Sequence, residues 1–170
     1  EVDMGVFASA MKATNLVPIA RGTISATLKG NGASWYEVLR TSAGSVSAQF
    51  GPGAMAGLDV PALISRSNKG EFFPLQEVAE GTINFKSIDA KFAVERGVAA
   101  IENLRVQGDR NLIALDGLVP LAGRGLALQG RVEPAAGGET APTASNAAAF
   151  FIGGSWDAPY ISPMLLFDMR

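Results

Sequence analysis

Residues Thr82 to Glu95 read TINFKSIDAKFAVE, the longest alternating run in the chain. Ile83 and Phe85 share one parity, and Ile88, Ala90, Phe92 and Val94 share the other. Alternation with period two marks a strand with one buried face. A slip of one residue would turn the whole apolar set to the opposite face. The change of phase at Lys86–Ser87 therefore predicts a β-bulge there, or a turn between two strands.

The same pattern recurs on both sides. In Gly22–Gly30 (GTISATLKG), Ile24, Ala26 and Leu28 alternate with Thr23, Ser25, Thr27 and Lys29. In Ser45–Phe50 the apolar set is Val46, Ala48 and Phe50. Gly51-Pro52-Gly53 then reads as a hairpin turn, with Ala54–Gly57 returning. Ala100–Gln107, Asn111–Asp116 and Gly125–Val132 supply further strands, and Phe150–Trp156 the last. Helices are few. Ser34 followed by Glu37 is a capping box opening SWYEVLRT, with Trp35, Val38 and Leu39 as its apolar stripe. Asp59 caps a second helix through Ser65; Pro61 is tolerated in its first turn, and Leu63 and Ile64 face inward. Phe72–Val78 forms a third turn or short helix. Pro134–Ala147 (PAAGGETAPTASNA) has no period and reads as a flexible loop.

Composition agrees. The 170 residues fit a single domain over 1–170. Charged residues make up 18% and glycine 20 positions, against about 25% charged in an average globular chain. The expected fold is mainly β: a curled antiparallel sheet, either a β groove or a partly open barrel, with two or three short capping helices.

Several kinds of chemistry fall away. There is no Cys, so there are no disulfides or thiolate ligands, and no His, so a Ser-His-Asp triad is excluded. Asp-x-Asp calcium spacing is absent. Glu71, Glu77, Glu80, Asp109 and Asp116 read as solvated surface charge rather than as a carboxylate pair. Gly51–Ala56 (GPGAMA) only superficially matches a dinucleotide fingerprint: Pro52 occupies the turn, and no long helix follows directly. The net charge is −2 with scattered Lys and Arg, so the footprint of a nucleic-acid binder is missing. The aromatics Trp35, Tyr36, Phe72, Phe73, Phe150, Phe151 and Trp156 are not interleaved with basic residues and read as core. Apolar patches such as Ala147–Ile152 are far shorter than the roughly 20 residues of a spanning helix. The chain starts at Glu1 without an initiator Met and reads as a piece of a longer protein. The expectation is a non-enzymatic domain with neither metal nor cofactor.

Covering the sheet is the remaining problem. Six to eight strands span roughly 30–40 Å at about 4.8 Å each. Helices of about 10–12 Å cannot cover that width. The sheet curls into a closed core, or part of its apolar face stays open as a trough for something greasy. Each acyl methylene buried there contributes about 0.8 kcal/mol.

The ordered segments GTISATLKGNGASWYEVLRTSAGSVSAQF, GPGAMAGLDVPALI, FFPLQEVAEGTINFKSIDAKFAVERGV, LALQGRV and FIGGSWDAPYISP resemble the C-terminal region of the AsmA family over about Gly22–Pro163. The resemblance implies a periplasmic β-rich domain of an inner-membrane-anchored parent protein. It also implies a part in outer-membrane biogenesis, by guiding phospholipid along an apolar β groove. The lining expected for that groove is Ile24, Ala26, Leu28, Val46, Ala48, Phe50, Ile83, Phe85, Phe92 and Val94, with Trp35, Val38 and Leu39 plugging or capping it. The partner is then phospholipid or another acyl-chain lipid. The alternative is a structural end-cap that docks an envelope protein by strand-edge pairing.

Overall fold

The computed structural model describes residues 18–135 and 146–164. Nine strands form one antiparallel sheet: β1 Pro18–Lys29, β2 Ala43–Ala56, β3 Phe73–Pro74, β4 Thr82–Glu95, β5 Val98–Gly108, β6 Asn111–Pro120, β7 Gly125–Pro134, β8 Ala148–Ser155 and β9 Ala158–Met164. Their order is β1-β2-β4-β5-β6-β7-β8-β9-β3, and the sheet is not closed. Two helices, α1 (Trp35–Thr41) and α2 (Val60–Asn68), and a 3-10 turn over Leu75–Val78 complete the fold.

The sheet is curled, and the chain path requires it. Along the sheet, β3 lies six ladder steps from β4, roughly 29 Å if flat. Pro74 and Thr82 are joined by only seven residues, four of them in the 3-10 turn. That connection reaches about 22 Å at most, given a rise of about 2 Å per 3-10 residue. The β3 edge must bend back toward the start of β4. Hydrogen bonds from the Gly57 N–H to the Gly81 carbonyl and from the Asp59 N–H to the Val78 carbonyl fasten the returning chain to the segment leaving β2.

Bulges supply some of the bend. Pairing of β4 with β5 shifts between Phe85 and Ser87, at the change of phase in the sequence. Beside it, pairing of β1 with β2 shifts between Ala20 and Gly22, which places the extra residue of β2 at Gly51–Pro52. Adjacent bulges bend and twist a sheet locally.

This corrects the hairpin expected at Gly51–Gly53, because β2 continues to Ala56. Pro and Gly mark a bulge as readily as a turn, and a bulge tolerates the N–H that Pro lacks. The dinucleotide pattern Gly51–Ala56 thus lies inside a strand. Phe150–Trp156 is not the last strand: Trp156–Asp157 turns the chain into β9, whose Pro159 and Pro163 hide its pattern. Phe72–Val78 divides into the two-residue β3 and the 3-10 turn. Of the expected loop Pro134–Ala147, Pro134 closes β7 and Ala147 is buried, while 136–145 lies outside the described residues.

The core is built on α2. Its Asp59 side chain accepts from the Ala62 N–H and starts the helix. Val60, Leu63, Ile64 and Ser67 form the buried face, packed on β8, β9 and the 3-10 turn. Leu63, Phe73, Val78, Val132 and Ile161 are almost wholly shielded from water.

Candidate functional site: the apolar face of the sheet

Ladder register shows which side chains share a face. Directly opposed residues of an antiparallel pair point the same way. Starting at Ala26, the successive partners are Val46, Phe92, Ile101, Gly117, Leu128, Ile152, Ile161 and Phe73. This row crosses all nine strands from edge to edge without a polar side chain. A second row begins Ile24, Ala48, Ala90, Leu104, Leu115 and ends through Gly130 at Phe150 and Pro163. All ten residues expected to line one face do share it. The bulge at Lys86 returns Ile83 and Phe85 to the side of Ile88.

Two glycines shape this surface. A Cβ at Gly130 would lie 2.3 Å from the Phe150 ring, and one at Gly22 would lie 2.4 Å from the Phe50 ring. Each aromatic occupies the space its cross-strand glycine leaves free. The opposite face is polar over its first strands: Thr23, Gln49, Asp89 and Arg105 oppose one another in turn, as do Ser25, Ser47, Lys91 and Asn103.

Cover is uneven along the apolar row. From β4 to β3 it belongs to one packed cluster with α2. Toward β1 that cluster ends. Val46, Ala48 and Val94 are buried but stand outside it, Leu28 is half-buried and Ala26 exposed. Ile24 is 40% exposed, whereas Ile161 at the far end of the sheet is fully shielded. The outer strand β1 thus projects as a wing with Ile24 and Ala26 exposed, while Val46 and Ala48 of β2 stay buried.

The helix expected to plug or cap the trough is only partly packed. Trp35 is 54% exposed, Val38 and Leu39 are half-buried, and α1 contributes nothing to the packed cluster. It stands on the rim, between the end of β1 and the β4–β5 turn. A Cβ at Gly30 would touch the Val38 carbonyl oxygen, and one at Gly97 the Leu39 carbonyl oxygen.

At the other end of the strands lies a cleft of about 1080 Å³. Val60, Ile64, Ile83 and Ile113 form its apolar floor and belong to the packed cluster, and Lys86 and Arg110 stand among its polar walls. Sequence reading missed this cleft and the inward row Ile101, Leu128, Ile152 and Ile161. The extra residue of β5 near Glu102 breaks the parity that would have exposed the row.

The carboxylates considered for catalysis are placed otherwise. Glu71 and Glu77 both pair with Arg66, whose guanidinium also lies 4.5 Å from the Phe73 ring centroid. Glu71 first and Glu77 second hold that guanidinium above its ordinary pKa. Glu80, Asp109 and Asp116 are exposed. Among the described residues no group of acidic side chains could hold a metal ion, and no helix is long and apolar enough to cross a membrane. No known protein family, curated protein or solved structure matches the chain.

Proposed function

We propose that this chain is a non-enzymatic lipid-binding domain whose curled sheet takes the acyl chains of a phospholipid along its apolar face. The observation carrying this reading is the unbroken apolar face that is packed from Phe73 to Val46 and comes to the surface on β1 at Ala26 and Ile24. Ten methylenes buried on such a row are worth about 8 kcal/mol before ordering costs, enough to retain lipid through purification. The resemblance to the AsmA family supports the same reading. It also supports a periplasmic place in an inner-membrane-anchored parent that serves outer-membrane biogenesis.

A second reading has its own support. β1 is 12 residues long, and among the described residues no strand pairs with its outer ladder. Its stretch Thr23–Leu28 carries no charge and no proline, with the edge guards Pro18, Arg21 and Lys29 confined to the two ends of the strand. An envelope protein donating one strand would extend the sheet there.

Native mass spectrometry of the bacterially expressed domain, with lipid extraction, separates the two. The lipid reading expects co-purified phospholipid that is lost in Ile24→Asp and Leu28→Asp. Those positions lie on the wing, where a carboxylate leaves the packed cluster untouched. A clean apo mass with no uptake of added phospholipid sinks the lipid reading and leaves the edge.

A further inference from the structure

The helix α1 poses a physical puzzle. Seven residues are too few to hold a helix alone, and α1 buries none of them. Yet it is tied down at every turn. The Ser34 hydroxyl accepts from the Glu37 N–H, and the Glu37 carboxylate accepts from the Ala33 N–H. The Thr41 hydroxyl accepts from the Asn31 N–H and donates to the Asn31 carbonyl. The Ser42 N–H donates to the Leu39 carbonyl, and the Gly97 N–H to the Ser42 carbonyl. So many tethers on an element outside the core fix what the helix displays: Trp35 and Tyr36, both more than half exposed.

Charge on the same rim indicates the partner. Lys29 ends β1, Arg40 lies in the last turn of α1, and Arg96 sits in the β4–β5 turn packed against Arg40 through Gly97. Among the described residues none of the three makes an ion pair. The carboxylates nearby are Glu95 and Glu37, the latter capping the helix. The opposite end carries both signs, with Asp59, Glu80, Asp109 and Glu133 beside Lys69, Lys86 and Arg110, and Glu71 and Glu77 paired with Arg66.

We infer that the α1 rim docks on an anionic phospholipid bilayer surface, with Trp35 and Tyr36 at headgroup level and Lys29, Arg40 and Arg96 among the phosphates. Amphipathic aromatic rings favour the membrane–water interface, and each cation near an anionic surface adds about fivefold to the partition coefficient. The docking goes beyond the lipid-trough reading and does not depend on it.

The test uses tryptophan emission of the whole chain with vesicles of phosphatidylcholine, with and without phosphatidylglycerol. Trp156→Phe leaves Trp35 as the only indole, and Trp35→Phe leaves only Trp156. Expected is a blue shift of Trp35 on phosphatidylglycerol vesicles, reversed by salt and absent for Trp156. The pair Arg40→Gln with Arg96→Asn should weaken partitioning by about 25-fold; Asn suits the positive φ at position 96. Unchanged far-ultraviolet circular dichroism keeps misfolding out of the comparison. No shift on either vesicle, equal binding to neutral vesicles, or binding unaffected by the charge variants would overturn the inference. Lipid retained in Trp35→Ser/Tyr36→Ser by native mass spectrometry would show the trough working without the rim, so the two failures are distinguishable.

Discussion

Both helices open on a capped first turn: Ser34 accepts from the Glu37 N–H in α1, and Asp59 from the Ala62 N–H in α2. They are short, seven and nine residues, and each carries a basic residue in its last turn. Beyond the caps they part. α2 sets Val60, Leu63, Ile64 and Ser67 against β8, β9 and the 3-10 turn, while α1 buries nothing. Capping chemistry decides where a short helix starts; the sheet decides whether that helix is core or display. The curl brings α2 under its own return segment, whereas α1 is wedged between Gly30 and Gly97 outside the packed cluster.

Large-to-small substitutions test this contrast most severely. Leu63 is 1% exposed, and Leu63→Ala should cost about 2–5 kcal/mol in urea unfolding. Trp35→Ala removes a larger side chain, yet stability should stay within about 0.5 kcal/mol, as at other exposed positions. Comparable losses at the two sites would mean that α1 is core after all.

The same contrast explains what was readable from sequence. Strands with clean alternation, such as Thr82–Glu95, declared their buried face, and the bulge at Lys86 was visible as a change of phase. Both caps were visible because their chemistry is local. Hidden features depended on partners distant in sequence. Whether Gly51-Pro52-Gly53 turns or bulges depends on β1 lying alongside. Whether Trp35 plugs the trough depends on how α1 sits against Gly30 and the β4–β5 turn at Gly97. β9 was obscured by Pro159 and Pro163, tolerable because only the two residues of β3 pair beyond it. The candidate face was legible on β1, β2 and β4, where period two holds. It was lost on β5, where an extra residue near Glu102 moves Ile101 and Leu104 into register at an odd spacing.

Glycines offer a finer cut. Gly70 and Gly97 share a φ of +75°, so alanine at either costs about 1–2 kcal/mol of left-handed backbone strain. A Cβ at Gly70 meets nothing within 4 Å, but at Gly97 it would lie 2.6 Å from the Leu39 carbonyl oxygen. Gly97→Ala should therefore lose more than Gly70→Ala in thermal unfolding and should loosen α1 from the rim. Equal losses would show that the close approach of α1 to the β4–β5 turn adds nothing to its hold.

The smallest expected effect is the most discriminating. Removing a cap costs typically about 1 kcal/mol of helix stability, and where that loss registers depends on what the helix is coupled to. α2 cannot fray without exposing Leu63 and Ile64, so Asp59→Ala should lower global stability by about 1 kcal/mol. α1 can open without uncovering the core, so Ser34→Ala should leave the global unfolding midpoint nearly unchanged. Its effect should appear instead as faster amide exchange at Val38 and Ser42, whose N–H groups donate to the Ser34 and Leu39 carbonyls, through local opening alone. If Ser34→Ala lowered the global midpoint as far as Asp59→Ala does, α1 would be cooperative with the sheet. Its tethers would then serve the fold rather than the display of Trp35 and Tyr36.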